Sequence, residues 1–450
     1  MESIKKKIES TLAEMVKENE KLGAALTDKV KLTDYTPNGD IWTEALETAL
    51  FEHEIVLIPE KDTPYLIDRT VVIPPNRRII ADKNAVIRLA DSTKTIMFRN
   101  KHTLNGTHAP IQALAKDTNI TIEGGIWVDC QSVRLGYGQS GMYDEKRSFF
   151  GVSTLFFFDN INHLTLKNIT FKNCSGFAVQ CGDITNLHIE NIFFDTCFAD
   201  GLHINGNVEK VFVKNIRGEV GDDLVAFNMF DWQNSSVNFG PAKTVICEDV
   251  SLTRGGFGAR IQPGVYTYAD GSEIDCSIED AIFRRIENIS TFKLYCQTPA
   301  YHVGETPEKV SVGSGNNIIF EDIKVDLNSP IDLFKEYTES DPVAGSIAAF
   351  ELGLNAKNMY FKNIDLILHR DKYPYSYLVC IGPKSARRGD LQIFDPYFSS
   401  HTEKIYFENI TVNGEKVSDV TPYVREIVFD RLFDDMPSTA KGSIGQIICK

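Results

Sequence analysis

The 450-residue chain has no excess of positive charge: 47 Lys and Arg stand against 62 Asp and Glu, a net charge of −15. A sequence-independent grip on nucleic acid or an anionic membrane would need a local basic patch. Only Lys5-Lys6-Lys7 and the stretch from Lys384 to Arg388 come near one, so no nucleic-acid and no membrane partner is expected. Long apolar runs are missing too, none approaching the roughly 18 residues of a membrane span, although 42% hydrophobic residues suffice for a large core. The first residues lack the apolar segment of a signal peptide. Nine cysteines (130, 174, 181, 197, 247, 276, 296, 380 and 449) form no Cys-x-x-Cys pair, and most lie in apolar runs, as buried thiols do. These absences lead to the expectation of a cytoplasmic protein. No Pro, Ser or Gly-rich linker divides the chain. The expected organisation is a helical appendage over residues 1–35 and one catalytic-size domain over 36–450.

Met1 to Lys17 read as an amphipathic helix with Ile4, Ile8, Leu12, Met15 and Val16 on one face. From about residue 110 a phrase recurs, among its copies Leu187-His-Ile-Glu-Asn-Ile, Val211-Phe-Val-Lys-Asn-Ile, Ile318-Ile-Phe-Glu-Asp-Ile and Ile405-Tyr-Phe-Glu-Asn-Ile. Each is a short alternating strand, then Asn or Asp, then a second strand. Copies lie about 23 residues apart at first and about 35 to 45 later, as in a solenoid whose coils carry insertions on one side. One coil cannot bury its apolar face, but strands stacked about 4.8 Å apart build a continuous core. The expected fold is all-β, a right-handed parallel β-helix spanning roughly residues 50 to 430. A β-propeller has a similar period, but needs tight hairpins whose Asn-Gly or Asp-Gly signals are mostly missing between consecutive strands. A helix around Ile41 to Phe51 and the strands after it read as the entry cap. The Asn-x-Ser/Thr triplets at Asn119, Asn168, Asn288 and Asn409 belong to the repeat rather than to glycan attachment.

Three segments superpose: Asp200-Gly-Leu-His-Ile-Asn205, Asp223-Leu-Val-Ala-Phe-Asn228 and Gly258-Ala-Arg-Ile-Gln262. Alternation sends Leu202, Ile204, Val225, Phe227, Ala259 and Ile261 inward and His203, Asn205, Asn228, Arg260 and Gln262 outward. Asp200 and the pair Asp222-Asp223 then enter successive stacked strands, so three carboxylates share one face with Arg260 a coil further on. Carboxylates crowded in this way push their pKa values apart and can supply an acid and bases in one site. An Asp at a turn is also ordinary turn chemistry, an explanation that weakens for three in register with an arginine. Phe230 reads as core, and Trp232, flanked by Asp231, Gln233 and Asn234, as an exposed sugar-stacking wall.

The run from about Gly39 to Asn409 resembles glycoside hydrolase family 28, the polygalacturonase-like β-helix enzymes. Gly124-Gly-Ile-Trp127-Val-Asp129 is similar to the family's Gly-Gly-x-Trp-Asp-Gly, and Phe198-Ala-Asp200-Gly to its Asn-Thr-Asp-Gly. Gly221-Asp222-Asp223 matches its Asp pair, and Arg260-Ile-Gln262 its Arg-Ile-Lys. The resemblance implies an inverting glycosidase with Asp222 as general acid and with Asp200 and Asp223 holding and deprotonating the water. Substrate contacts would come from His203, Asn205, Asn228, Trp232, Arg260 and Gln262, with no metal and no cofactor. The sequence departs from the pattern in three places. No histidine stands near Gly240 where the family has Gly-His-Gly, His203 replaces an aspartate, and Gln262 replaces the lysine that grips a uronic acid carboxylate. The last argues against a plain polygalacturonase and for a sugar neutral at Gln262. The expected activity is exo action on a short oligosaccharide or glycoside, with the inserts at about residues 128–150, 262–278, 295–315 and 370–400 as cleft walls. Three alternatives stand beside it: a β-helix polysaccharide lyase with calcium on the aspartates, a fructotransferase-like enzyme, and a non-catalytic carbohydrate-binding solenoid. Self-association into a homo-oligomer is left open.

Overall fold

In the computed structural model the described residues are 1–91, 93, 95–103, 115–129, 154–231, 237–267, 271–289, 291–295, 312–328, 347–382, 387–388, 391–392, 399–426, 432–433, 436–437 and 441–450. They form a right-handed parallel β-helix. The run Phe177–Cys197 pairs in parallel along its length with Val208–Asn228, which pairs in turn with Ala242–Ile261. Left-handed residues recur along each coil, and the recurrent asparagine supplies one of them: Asn168, Asn191, Asn215, Asn363 and Asn409 all have φ between 53° and 58°. Asparagine tolerates that region far better than most residues, and its amide also links coil to coil, Asn191 Nδ2 donating to Asn168 Oδ1 at 2.9 Å and Asn215 Nδ2 to Asn191 Oδ1 at 2.7 Å. Asn119 and Asn288 take the same left-handed conformation, so all four glycan-like triplets begin at such a residue.

The bends divide each coil into three faces. Face 1 carries residues 177–181, 202–205, 225–228, 259–261 and 292–294; face 2 carries 187–190, 211–214, 245–248 and 281–284; face 3 carries 192–194, 216–218, 250–252 and 286–289. Inward residues make one continuous core from Leu32 to Val420. Identical positions stack within it, as in the line Phe283, Phe320, Phe361 and Phe407, with ring centroids 5.3 to 5.5 Å apart. The solenoid runs beyond residue 430, since Gly442–Cys449 pairs with Ser400–Val412. An Asn-Gly hairpin, at Asn413-Gly414, joins an antiparallel pair at that end.

Helix α2, Thr43–Glu52, packs over the entry strands as expected. Helix α1 spans Glu2–Ala25, eight residues beyond the stretch read from sequence. The extension is invisible to an apolar pattern because its buried residues are Asn19 and Gly23; Asn19 donates to Thr165 Oγ1 and to the Asn186 carbonyl. Ile8, Leu12 and Met15 lie on Ile246, Ile282, Ile319 and Tyr360 of face 2. Its 24 residues give about 36 Å of helix, long enough to cross about seven strand spacings of ~4.8 Å. Among the described residues no helix is long and apolar enough to cross a membrane. The seven cysteines described are free thiols, all buried except Cys449.

Candidate active site

Face 1 follows the register read from the motifs. Leu202 pairs with Val225, His203 with Ala226 and Asn205 with Asn228, and one coil later Val225 pairs with Ala259 and Ala226 with Arg260. Two glycines make the bends before it tight. A Cβ on Gly201 would lie 2.7 Å from the Leu224 carbonyl oxygen, and one on Gly221 would lie 2.3 Å from that of Phe198. The chain can therefore deliver Asp200 and Asp222-Asp223 side by side, and carboxylate oxygens of the three lie within 4.8 Å of one another. Asp200 and Asp223 are buried, whereas the Asp222 side chain is 26% exposed and opens to solvent.

Arg260 Nε sits 2.9 Å from Asp223 Oδ2 and its Nη2 3.6 Å from Asp222 Oδ1. The Asp223 oxygens accept no aligned hydrogen bond. Burial pushes its carboxyl up to about 8 against the pull of Arg260, with the charges of Asp222 and Asp200 adding to the rise. Crowded carboxylates ionise together with difficulty in so little water, and burial makes Asp223 the member most inclined to hold a proton.

A second basic group was not read from the sequence. Lys293 pairs with Arg260 in the next coil, buried, with its Nζ over the Phe257 ring. Burial and the Arg260 guanidinium push its amine well below the ordinary lysine value, against the three aspartates. The signal was local: Phe292-Lys-Leu294 alternates apolar, charged, apolar on the same face. Asp231 is the other unread residue. It is buried beyond the end of the strand, 2.8 Å from His203 Nε2.

The expected substrate contacts divide. Arg260 adjoins the cluster. His203, Asn205, Asn228 and Gln262 do point outward, but all four are buried and already engaged. His203 lies between Asp200 and Asp231. Asn205 accepts from Gln180 Nε2 at 2.9 Å and donates to the Asn228 carbonyl, Asn228 Nδ2 lies 3.4 Å from Asp231 Oδ2, and Gln262 Nε2 donates to the Phe230 carbonyl. The reason is the chain beyond the strand: the Phe230 carbonyl accepts the bond from Gln262, Asp231 meets His203, and the Val237 N–H donates to Asn205 Oδ1 at 3.3 Å. The expectation of a sugar neutral at Gln262 loses its basis there. Phe230 is core. Trp232 lies outside the described residues, as do most of the inserts at 128–150 and 295–315; of 262–278 the described part is chiefly an antiparallel hairpin, Gly264–Thr267 with Glu273–Cys276, and 370–400 is in part a coil strand instead of a wall, since Ser376–Ile381 pairs in parallel with Ile347–Gly353.

A divalent cation would need the oxygens of Asp200, Asp222 and Asp223, the one described set with suitable spacing. Arg260 contacts both Asp222 and Asp223, and Lys293 pairs with it in the next coil, so an ion held there would have two basic side chains beside it.

No protein-family model matches the chain, and no curated protein matches it. Among solved structures it is similar to a double mutant of the tailspike protein of E. coli bacteriophage HK620, with TM-score 0.54 and 11% identity over 93% of this chain and 65% of that one. A single mutant of that tailspike in complex with a pentasaccharide gives TM-score 0.51, 11% identity, and 93% and 67% coverage. An exopolygalacturonase from Thermotoga maritima gives TM-score 0.49, 13% identity, and 89% and 96% coverage. At such identities the likeness is one of fold, the right-handed parallel β-helix.

Proposed function

We propose that this protein is a glycoside hydrolase that works on face 1 and releases sugar from the end of a short, acidic oligosaccharide. The observation that carries the reading is the convergence of Asp200, Asp222 and Asp223 beside Arg260, with Asp222 alone opening to solvent. Burial keeps Asp223 from reaching a glycosidic oxygen, so Asp222 is the acid. A sugar laid over Asp222 strips its water and favours its neutral form, so the proton held on Asp223 passes to Asp222. That transfer prepares the acid and frees the base together. Asp222 then protonates the leaving oxygen as the water held by Asp200 and Asp223 attacks the anomeric carbon. The water's proton goes to Asp223, which restores the resting state.

The reading includes inversion. The carboxylate oxygens are closer than the about 6.5–9.5 Å usual for inverting pairs. The water must therefore be held by Asp200 and Asp223 jointly, rather than in a gap between two facing carboxylates. Proton NMR of the first-formed anomer tests this; a retained anomer would overturn it.

Exo action is supported by a wall. Two coils before His203, Phe157 occupies the outer line of face 1 and packs with Ile96 and Val237 into a buried apolar cluster. A cleft closed there admits a chain end rather than a chain middle. The acidic sugar is supported by Arg260 and Lys293, two basic side chains paired in adjacent coils that offer donors to a carboxylate. That a tailspike of the same fold is described with a pentasaccharide is compatible with an oligosaccharide ligand.

The test is a panel of short acidic oligosaccharides, aryl glycosides and long homopolygalacturonan, with and without chelator. Reducing ends should appear without loss of viscosity and regardless of chelator. A chelator-sensitive, ultraviolet-absorbing unsaturated product would make the protein a lyase, and a rapid fall in viscosity would make it an endo enzyme.

A further inference from the structure

A second chain of charged groups runs beneath the cluster, and the hydrolytic cycle above does not use it. His203 Nδ1 lies 2.6 Å from Asp200 Oδ2, and its Nε2 lies 2.8 Å from Asp231 Oδ2. All three side chains are at least 95% buried. A neutral imidazole carries one N–H and can donate to one carboxylate only; donating to both requires the imidazolium. The ring is fixed in the plane that makes both bonds, stacked on Phe177 at 4.0 Å and 13°. Asp231 is steadied by Asn228 Nδ2 at 3.4 Å, and Asn205 Nδ2 donates to the Asn228 carbonyl instead of to the ring. At the far end, Asp200 Oδ1 accepts the backbone N–H of Asp223 at 3.1 Å. The line Asp231, His203, Asp200, Asp223 thus connects the segment beyond one strand with the carboxylates at the head of another.

We propose that His203 and Asp231 are positioning residues: a doubly protonated His203, held by Asp231, fixes the plane of the Asp200 carboxylate and offsets part of the negative charge of the cluster. The role assigned to Asp200 rests on the hydrolase reading; the existence of the charged relay does not. The charged groups facing the imidazole are Asp200 on its own coil and Asp231 beyond the next strand. Burial alone would pull its pKa down, but the hydrogen bonds and charges of the two aspartates outweigh it and carry the value to about 9. Asp231 thus acts at a distance: it never touches the proposed substrate, yet it sets the charge of the group that orients Asp200.

The test has a spectroscopic arm that needs no substrate. Nitrogen-15 and proton NMR of the histidine-labelled full chain, assigned with a His203→Gln variant, should show both ring N–H groups of His203 at pH 7, with one of the two lost only as the pH passes about 9. Asp231→Asn should remove the doubly protonated signature at pH 8. It should also move the alkaline limb of kcat down by about one pH unit or more, with kcat falling further than KM changes. Asp231→Glu should restore the signature. A single N–H tautomer at pH 7 in the wild type overturns the proposal, as does an Asp231→Asn variant with wild-type spectrum and pH profile. If Asp231→Asn does not fold, the wild-type spectrum alone decides. If no glycoside is turned over, the hydrolase reading fails while the spectrum still judges the relay.

Discussion

Faces 1 and 2 carry charged residues at outward positions of the same coils, to opposite effect. On face 2 one line runs Glu123, Lys167, Glu190, Lys214, Glu248, Arg284, Glu321, Lys362 and Glu408, changing sign at every step. Each charge stands about 4.8 Å from opposite charges above and below, and a slip of one coil would set like beside like. Helix α1 adds matching partners, Lys5 to Glu321, Glu9 to Arg284 and Glu20 to Lys167. On face 1 three aspartates crowd within 4.8 Å, and Arg260 stacks directly on Lys293. Where only stability is at stake, stacked strands alternate sign. Where like charges are stacked and buried, the fold carries a cost that invites a functional explanation.

That contrast can be broken at either face. The largest effect is expected from Asp222→Asn, with kcat on the best substrate falling about 10²- to 10⁴-fold while the melting temperature stays near wild type. Asp223→Asn should separate stability from activity. The carboxyl is raised from 3.8 to about 8 in the fold, so its contribution is full below about pH 4 and is lost as the pH rises through about 8. Thermal melts from pH 4 to 9 should therefore find the variant more stable than wild type at pH 8, though less active. On face 2, Lys214→Glu aligns three acidic residues with Glu190 and Glu248. It should cost about 1 kcal/mol, partly recovered at high salt, with kinetics unchanged. The smallest effect is Lys362→Ala, whose amine lies 3.4 to 3.8 Å from Glu2, Glu321 and Glu408; a loss near 0.5 kcal/mol is expected by urea titration. A face-2 variant that altered kcat, or an Asp222→Asn variant that lost stability instead of activity, would undo the division of labour.

Much of the geometry was legible because a β-helix converts sequence period into position directly. The pairing of His203 with Ala226 and of Ala226 with Arg260 follows from laying three motifs over one another. Lys293 is legible in the same way, since Phe292-Lys-Leu294 repeats the alternation of Ala259-Arg-Ile261 one coil further on. Other features had no local sign. The last turns of α1 are buried through Asn19 and Gly23, and the partner of His203 lies 28 residues further along the chain.

By itself, the sequence determined the solenoid, its bends, the inward and outward sense of each strand and the meeting of Asp200, Asp222 and Asp223. Alternation by twos and a left-handed asparagine are local properties, and a constant coil spacing carries them into three dimensions. Only the tertiary structure decided what outward means at each coil. The Phe230 carbonyl, Asp231 and Val237 meet the outward groups of face 1, and His203, Asn205, Asn228 and Gln262 are buried rather than cleft-lining, while Asp222 keeps its access to solvent. Burial depends on where a later part of the chain returns in space, and the hydrogen bonds that make such burial tolerable form between residues too distant in sequence to leave a shared pattern.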